Sequence, residues 1–188
     1  MVEIELSIMD RSLHPIPDIK PTLEQFEAET NVHVNLTILE WDTAWSEVLK
    51  TALYRHGPDI SEIGSTWVSS LVGMNSLRPF SNEELTDLGG PSNFIPSLWD
   101  SGKLAGEKRV WAFPWLGYTR VIYYRRDLLE KAGIDEKTAF ETHTQLVKTL
   151  TRLQEMGGCT PWGVPTRLNQ DSLHNLASWV WNTGGDFI

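Results

Sequence analysis

The sequence predicts an α/β fold built on a parallel sheet, and three observations carry that prediction. Apolar and polar residues alternate with a period of two in Val2–Met9 and again in Val32–Ile38. Elsewhere the apolar period lengthens to that of a helix, as at Trp45, Val48, Leu49, Ala52 and Leu53. The connections are short, and strand, helix, strand, helix, strand in series makes a parallel sheet with right-handed crossovers.

Each element follows in chain order. In the first strand Val2, Ile4, Leu6 and Ile8 share one face, and the strand ends at Asp10-Arg11. Thr22-Leu23-Glu24-Gln25 has the spacing of a capping box and predicts a helix start, with Leu23 and Phe26 on one face. Val32, Val34, Leu36 and Ile38 form the second strand. Asp42 is the expected cap of the next helix, which His56-Gly57-Pro58 stops. Asp59–Ile63 reads as a third strand and Thr66–Asn75 as a helix. Residues 81–109, rich in Asn, Gly, Pro and Ser, hold two short helices at most. Val110–Trp115 and Arg120–Tyr124 read as strands. Asp127 is expected to cap a helix through Leu128, Leu129 and Ala132, closed by Gly133. A second capping box, Thr142-His143-Thr144-Gln145, opens a helix carrying Leu146, Val147, Leu150 and Leu153. Trp162–Pro165 reads as a short strand, and Leu173–Trp181 as a helix ended by Gly184-Gly185.

Composition narrows the function. The 16 Lys+Arg against 25 Asp+Glu leave a net charge of −9 with no basic stripe, which argues against nucleic acid as partner. The single cysteine, Cys159, excludes a disulfide framework within the chain. No apolar run reaches transmembrane length, and no signal peptide precedes the first strand. The nine Trp exceed ordinary usage. Most fill a core, but several fall where loops are expected, and aromatics on loops make stacking surfaces.

Catalytic patterns fail one by one. The five histidines show no i, i+4 pair and no H-E-x-x-H, so no metal site is expected. Gly64-Ser65 lacks the second glycine of a nucleophile elbow. There is no phosphate-binding G-x-x-x-x-G-K loop, and Cys159 sits in a turn without a base. Carboxylate pairs for glycoside hydrolysis are assembled by the fold and cannot be read from spacing. A carbohydrate-active enzyme therefore stays open as a rival.

Ligands in parallel sheets bind at the carboxyl ends of the strands. Here those ends are Asp10-Arg11, Glu40-Trp41 and Gly64-Ser65-Thr66-Trp67. Each has a plainer alternative. Asp10 and Arg11 could form a surface ion pair, Trp41 could staple the helix that follows, and Ser65–Trp67 could be a helix cap with a core tryptophan.

Four segments, in order, resemble the sugar-binding group of solute-binding proteins of ABC importers (extracellular family 1). They are PTLEQFEAETNVHVNL, WDTAWSEVLKTALYRHGPDISEIGSTWVSSLVGMNSLRPF, VWAFPWLGYTRVIYYRRDLLEKAGID and LASWVWNTGGDFI. No single one is specific; the ordered set is. The sequence departs from the family at Glu136-Lys137-Thr138, where prolines are frequent. The resemblance implies a type II periplasmic-binding-protein-like fold of two lobes with mainly parallel sheets. Residues 1–116 would be the first lobe, and residues 117–188 the crossover segment and the start of a second lobe. The chain stops at Ile188 after the glycine pair, so that lobe is expected to be incomplete.

The same resemblance implies a receptor rather than an enzyme. It would capture a sugar, a polyol or a similar small solute between two lobes and deliver it to the membrane subunits of an ABC permease. No cofactor is implied. The location would be periplasmic or extracellular, compatible with a lipoprotein anchor whose signal this chain does not carry. The implied contacts are Asp10, Arg11, Glu40, Trp41, Ser65, Thr66 and Trp67 at the strand ends, Trp115 and Tyr118 at the lobe junction, and Asn169 and Asp171 in a second-lobe loop near His174. Arg120 would tie the hinge. Trp45 and one of Trp179 and Trp181 are expected in the core; Trp99, Trp111 and Trp162 are unassigned. A sensor module could borrow the same fold. A lobe left incomplete would expose apolar surface, so self-association of the chain is expected.

Overall fold

The computed structural model describes residues 2–11, 15–164 and 170–185. By their internal contacts they fall into two compact units, Met1–Gly117 and Tyr118–Ile188.

In the first unit, β1 (Val2–Met9) is the centre of a three-stranded parallel sheet of order β2-β1-β3. β2 (Val32–Leu39) pairs along the whole of β1, from Val2 opposite Val32 to Met9 opposite Leu39. β3 (Ile60–Ser61) is short and sets Leu6 opposite Ile60 and Ser7 opposite Ser61. Side chains lengthen this brief ladder. The Glu5 N–H donates to Asp59 Oδ2 at 2.9 Å, and the Met9 N–H donates to Glu62 Oε2 at 2.8 Å. The chain thus leaves β1 first to one side and then returns past it to the other. Right-handed crossovers in opposite directions place their helices on opposite faces of the sheet.

α1 (Pro15–Thr30) and α2 (Trp41–Tyr54) are those two crossover helices. α1 is tied to β2 by Glu27, which accepts from the Val34 N–H and pairs with His33 Nδ1, both at 2.8 Å. α2 packs beside the last residues of β1 and β2. Its Ala44 and Val48 bury against Met9, Trp67 and Leu71, with Leu39, Trp45 and Ile63 at the margin of that cluster. A 3-10 turn (Ser65–Trp67) leads into α3 (Val68–Gly73). Beyond it come α4 (Asn82–Asp87), a 3-10 turn (Pro91–Asn93) and α5 (Pro96–Asp100). Trp99 is buried and stacks on Phe94, with ring centroids 5.0 Å apart.

In the second unit, α6 (Arg126–Ala132) packs on α7 (His143–Met156), burying Leu129, Ala132, Ala139 and Leu153. Gly133, with φ 68°, closes α6 in the left-handed conformation that a side chain would strain. Thr149 Oγ1, buried on α7, donates to the Ala139 carbonyl at 2.9 Å. α8 (Gln170–Asn182) follows, with Trp179 edge-on to Trp162.

Several sequence expectations need correction. α1 begins at Pro15, so Thr22 lies inside it and caps nothing. Proline is tolerated in the first turn, where N–H groups have no helical partner, and the helix then runs through Pro21. The Glu40 backbone occupies the N-cap of α2, and Asp42 sits in its first turn, favoured there by the helix dipole rather than by a cap bond. Asp127 is likewise in the first turn of α6, and Arg125 is its N-cap residue. The cap expected at α7 is present, since Thr142 accepts from the Gln145 N–H at 3.1 Å. The helix expected over Thr66–Asn75 divides into the 3-10 turn and α3. Trp179 and Trp181 are exposed rather than core. Among the described residues, Val110–Trp115, Arg120–Tyr124 and Trp162–Val164 form no strand; Val110 makes only an isolated antiparallel bridge with Lys103. A strand needs a neighbour for its N–H and C=O groups. Val121, Ile122, Tyr123 and Tyr124 are all exposed. Pro165 lies outside the described residues.

Candidate functional site

The carboxyl end of β1 gathers the polar groups of the first unit. The Asp10 N–H donates to the Leu39 carbonyl at 2.8 Å, which fixes the exit from β1 against β2. One residue on, the Arg11 guanidinium forms an ion pair with Glu62 through Nη2. Glu62 Oε2 is therefore shared by Arg11 and the Met9 N–H. The pair is largely sheltered, the side chains being 22% and 11% exposed.

Trp115 lies against this pair, with Arg11 Cζ 5.7 Å from its ring centroid. The loop that carries Trp115 is held by close backbone contact. The Trp111 N–H donates to the Gly102 carbonyl at 2.8 Å, and the Phe80 N–H to the Val110 carbonyl at 2.8 Å. A Cβ on Gly102 would stand 1.8 Å from the Ala112 carbonyl oxygen. Phe113 meets Phe80 edge-on at 5.2 Å. Trp115 itself stays 51% exposed, so much of its indole is reachable from solvent.

The end of β2 supplies a second open indole. Trp41 is 41% exposed and meets Trp67 edge-on at 6.1 Å, while the Trp45 ring lies tilted 5.2 Å from that of Trp67. Trp67 is buried at 6% exposure, so it supports Trp41 from beneath and presents no face of its own. Ser65 and Thr66 are exposed at the mouth of the 3-10 turn, and Glu40 is exposed at the start of α2. Two polar atoms in this region, Asp10 Oδ1 and Arg11 Nε, are buried with no hydrogen-bond partner among the described residues. Buried polar groups are rarely left unpaired, and such a donor and acceptor on consecutive residues are what one hydroxyl group would satisfy.

The other expected contacts lie in the second unit or outside the description. Tyr118 is 70% exposed. Arg120 Nη2 lies 3.3 Å from His174 Nδ1 on α8. Asn169 lies outside the described residues, and Asp171 falls within α8 rather than in a loop, without a described side chain. Arginine lowers the carboxyl groups whose titration is shifted: Arg78 at Glu84, Arg125 at Asp127 and Arg126 at Glu136. Among the described residues no cluster of His, Cys, Asp and Glu could hold a metal ion, and no helix is long and apolar enough to cross a membrane.

Glu62 was not singled out from the sequence, where it reads as one more residue of a strand over Asp59–Ile63. The available signal was its place between Ser61 and Ile63 near a strand end, where a sheltered carboxylate needs a partner.

Comparison with known proteins agrees with this layout. The sequence model of the bacterial extracellular solute-binding protein family matches residues 16–168. A putative binding protein of Brucella abortus (strain 2308) is 24% identical over 157 residues, which is 83% of this chain and 37% of that protein. The diacetylchitobiose binding protein DasA of Streptomyces coelicolor is 28% identical over 167 residues, 88% of this chain and 36% of its own length. The chain thus spans little more than a third of these curated relatives. Among solved structures, the sugar-binding protein MalE from Xanthomonas citri aligns with a TM-score of 0.71 at 20% identity, over 84% of this chain and 38% of that one. A sugar transporter from Arthrobacter chlorophenolicus with bound laminaribiose aligns with a TM-score of 0.68 at 19% identity, over 97% of this chain and 46% of that one. At such identities the likeness is one of fold: α/β, with the parallel sheet of these binding proteins.

Proposed function

We propose, because the chain belongs to the bacterial extracellular solute-binding protein family, that it forms part of a receptor that captures a sugar or a similar polyhydroxylated solute for an ABC importer. The observation that carries this reading is the carboxyl end of β1, where the half-exposed indole of Trp115 lies beside the Arg11–Glu62 pair and Asp10. A sugar needs both surfaces. Its apolar ring face stacks on an indole, and its hydroxyls pair with planar charged groups. Trp41 offers a second indole at the neighbouring strand end. The names of two relatives, one a diacetylchitobiose binding protein and one solved with laminaribiose, support a saccharide as the solute class.

In the same reading residues 1–116 act as a first lobe and residues from 117 onward as the crossover and the beginning of a second. Tyr118, Asn169 and Asp171 would meet the solute from that second side. Capture would be by hinge closure, followed by delivery to the permease subunits, in a periplasmic or extracellular setting. Exposed apolar residues of the second unit, among them Val121, Tyr123, Leu173 and Leu176, support self-association of the chain.

A thermal-shift screen against sugars and polyols tests the reading, since a ligand that binds only the folded state raises the melting temperature. A concentration-dependent rise with a sugar supports a receptor. A flat response across the panel removes the saccharide reading.

A further inference from the structure

We propose that Glu62 is a specificity-determining residue, setting the strand-end site to take an uncharged solute and to reject an anionic one. The inference rests on the receptor reading above and names the charge class of its solute.

An arginine at a strand end would ordinarily invite a carboxylate or a phosphate, because its planar fork matches either group. Here that role is already taken. Glu62 Oε2 holds the Arg11 guanidinium and is itself anchored by the Met9 N–H at 2.8 Å. The acid is thus fixed by the backbone of β1, the strand whose end it serves. Its side chain is 11% exposed, so solvent screens the pair weakly. The guanidinium is also spread against the Trp115 ring, which limits the directions from which it can be approached.

The strand-end segments among the described residues carry carboxylates in excess. In the strand-end segments 10–11, 40–42 and 62–67, Arg11 stands as one cation against the carboxylates Asp10, Glu40, Asp42 and Glu62. An approaching anion would meet a local excess of negative charge and a cation that is already neutralised. A hydroxyl carries no net charge, can accept from Arg11 and can donate to Asp10, so it meets no such penalty. Glu62 also positions Arg11, and its loss would release the guanidinium as a free cation.

The test uses the whole chain and matched pairs of compounds, glucose with glucuronic acid and cellobiose with cellobiouronic acid. The readout is the ratio of dissociation constants, acid over neutral, from calorimetry at neutral pH. The wild-type ratio is expected to exceed ten, roughly one decade of discrimination. Glu62→Gln keeps an acceptor for the Met9 N–H and removes the charge, so the ratio should fall by about a factor of ten. Arg11→Gln should move it the other way, and this variant carries the test if Glu62→Gln does not fold. A wild-type protein that binds the acids as well as the neutral sugars overturns the proposal. So does a ratio that neither variant moves, although the receptor reading then stands. Absence of binding by every protein and compound overturns both.

Discussion

Trp41 and Trp67 touch ring to ring, yet they differ in what their removal should do. Trp67 is buried among Met9, Ala44, Val48 and Leu71. Truncation of such a side chain costs about 3–5 kcal/mol, so Trp67→Ala should lower the urea midpoint sharply. Trp41 is 41% exposed, and Trp41→Ala should leave the urea midpoint nearly unchanged while weakening sugar binding by roughly tenfold. The loop under Trp115 gives a second residue-scale test. A methyl group at Gly102 would collide with the Ala112 carbonyl, and overpacking of this kind costs about 1–3 kcal/mol. Gly102→Ala should reduce stability in urea and, by displacing Trp115, weaken binding as well. At this scale the sequence was half legible. The place of Asp10 and Arg11 just past the end of β1 was legible from the period-two pattern before them. Residue type alone could not tell the indole that is buried from the indole that is open, since both follow a strand. Glu62 stayed hidden because its partners, the Met9 N–H and Arg11, come from a strand more than fifty residues earlier.

The start of α4 gives an element whose charge state can be followed. Ser81 Oγ accepts from the Glu84 N–H at 3.2 Å, and Glu84 Oε2 accepts from the Ser81 N–H at 2.7 Å, closing a capping box. Arg78 grips the same carboxylate with two bonds, of 2.9 and 2.7 Å. The Arg78 hydrogen bond, followed by the Ser81 backbone bond, holds the Glu84 carboxyl down to about 2 from an ordinary 4.5. A depressed carboxyl contributes stability that is fully present above its unfolded value and is lost as pH falls through its folded value. The difference in urea midpoint between wild type and Glu84→Gln should therefore be present at pH 7, shrink below about pH 4.5 and vanish near pH 2. A difference that does not vary with pH would assign the stability to the box geometry alone. Capping patterns also show what an element-scale reading misses. Thr22–Gln25 has the same spacing as Ser81–Glu84, but α1 had already started at Pro15. The segment Arg120–Tyr124 has the apolar, β-branched and aromatic content of a strand, and composition cannot say whether a partner strand is present to pair with it. β1, β2, α2 and α7 were legible because their apolar period runs long enough to identify the element.

For the whole molecule, the exposed stretch from Tyr118 to Arg126 is the natural place for a protease to enter. Trypsin should cut after Arg120, Arg125 or Arg126 before it cuts within α2 or α7, as read by mass spectrometry of early digests. First cuts inside α2 or α7 would show that those helices open more readily than this exposed stretch. Exposed apolar residues of the second unit predict that sedimentation velocity will show association that grows with concentration; a single monomer species at every concentration would contradict it. The parallel order β2-β1-β3 was within reach of the sequence as a class, because short connections between strand and helix leave few topologies. The meeting of Arg11 with Trp115 was not, since it joins residues far apart in the sequence through a segment that forms no strand.

The most direct measurement is a calorimetric titration of the chain with neutral mono- and disaccharides, with each compound followed by proton NMR through the same incubation. A receptor gives saturable heat for at least one sugar, a response weakened in Trp115→Ala, and leaves the sugar chemically unchanged. Heat accompanied by breakdown of the sugar would mark an enzyme, and no saturable heat from any sugar would contradict saccharide capture at the end of β1.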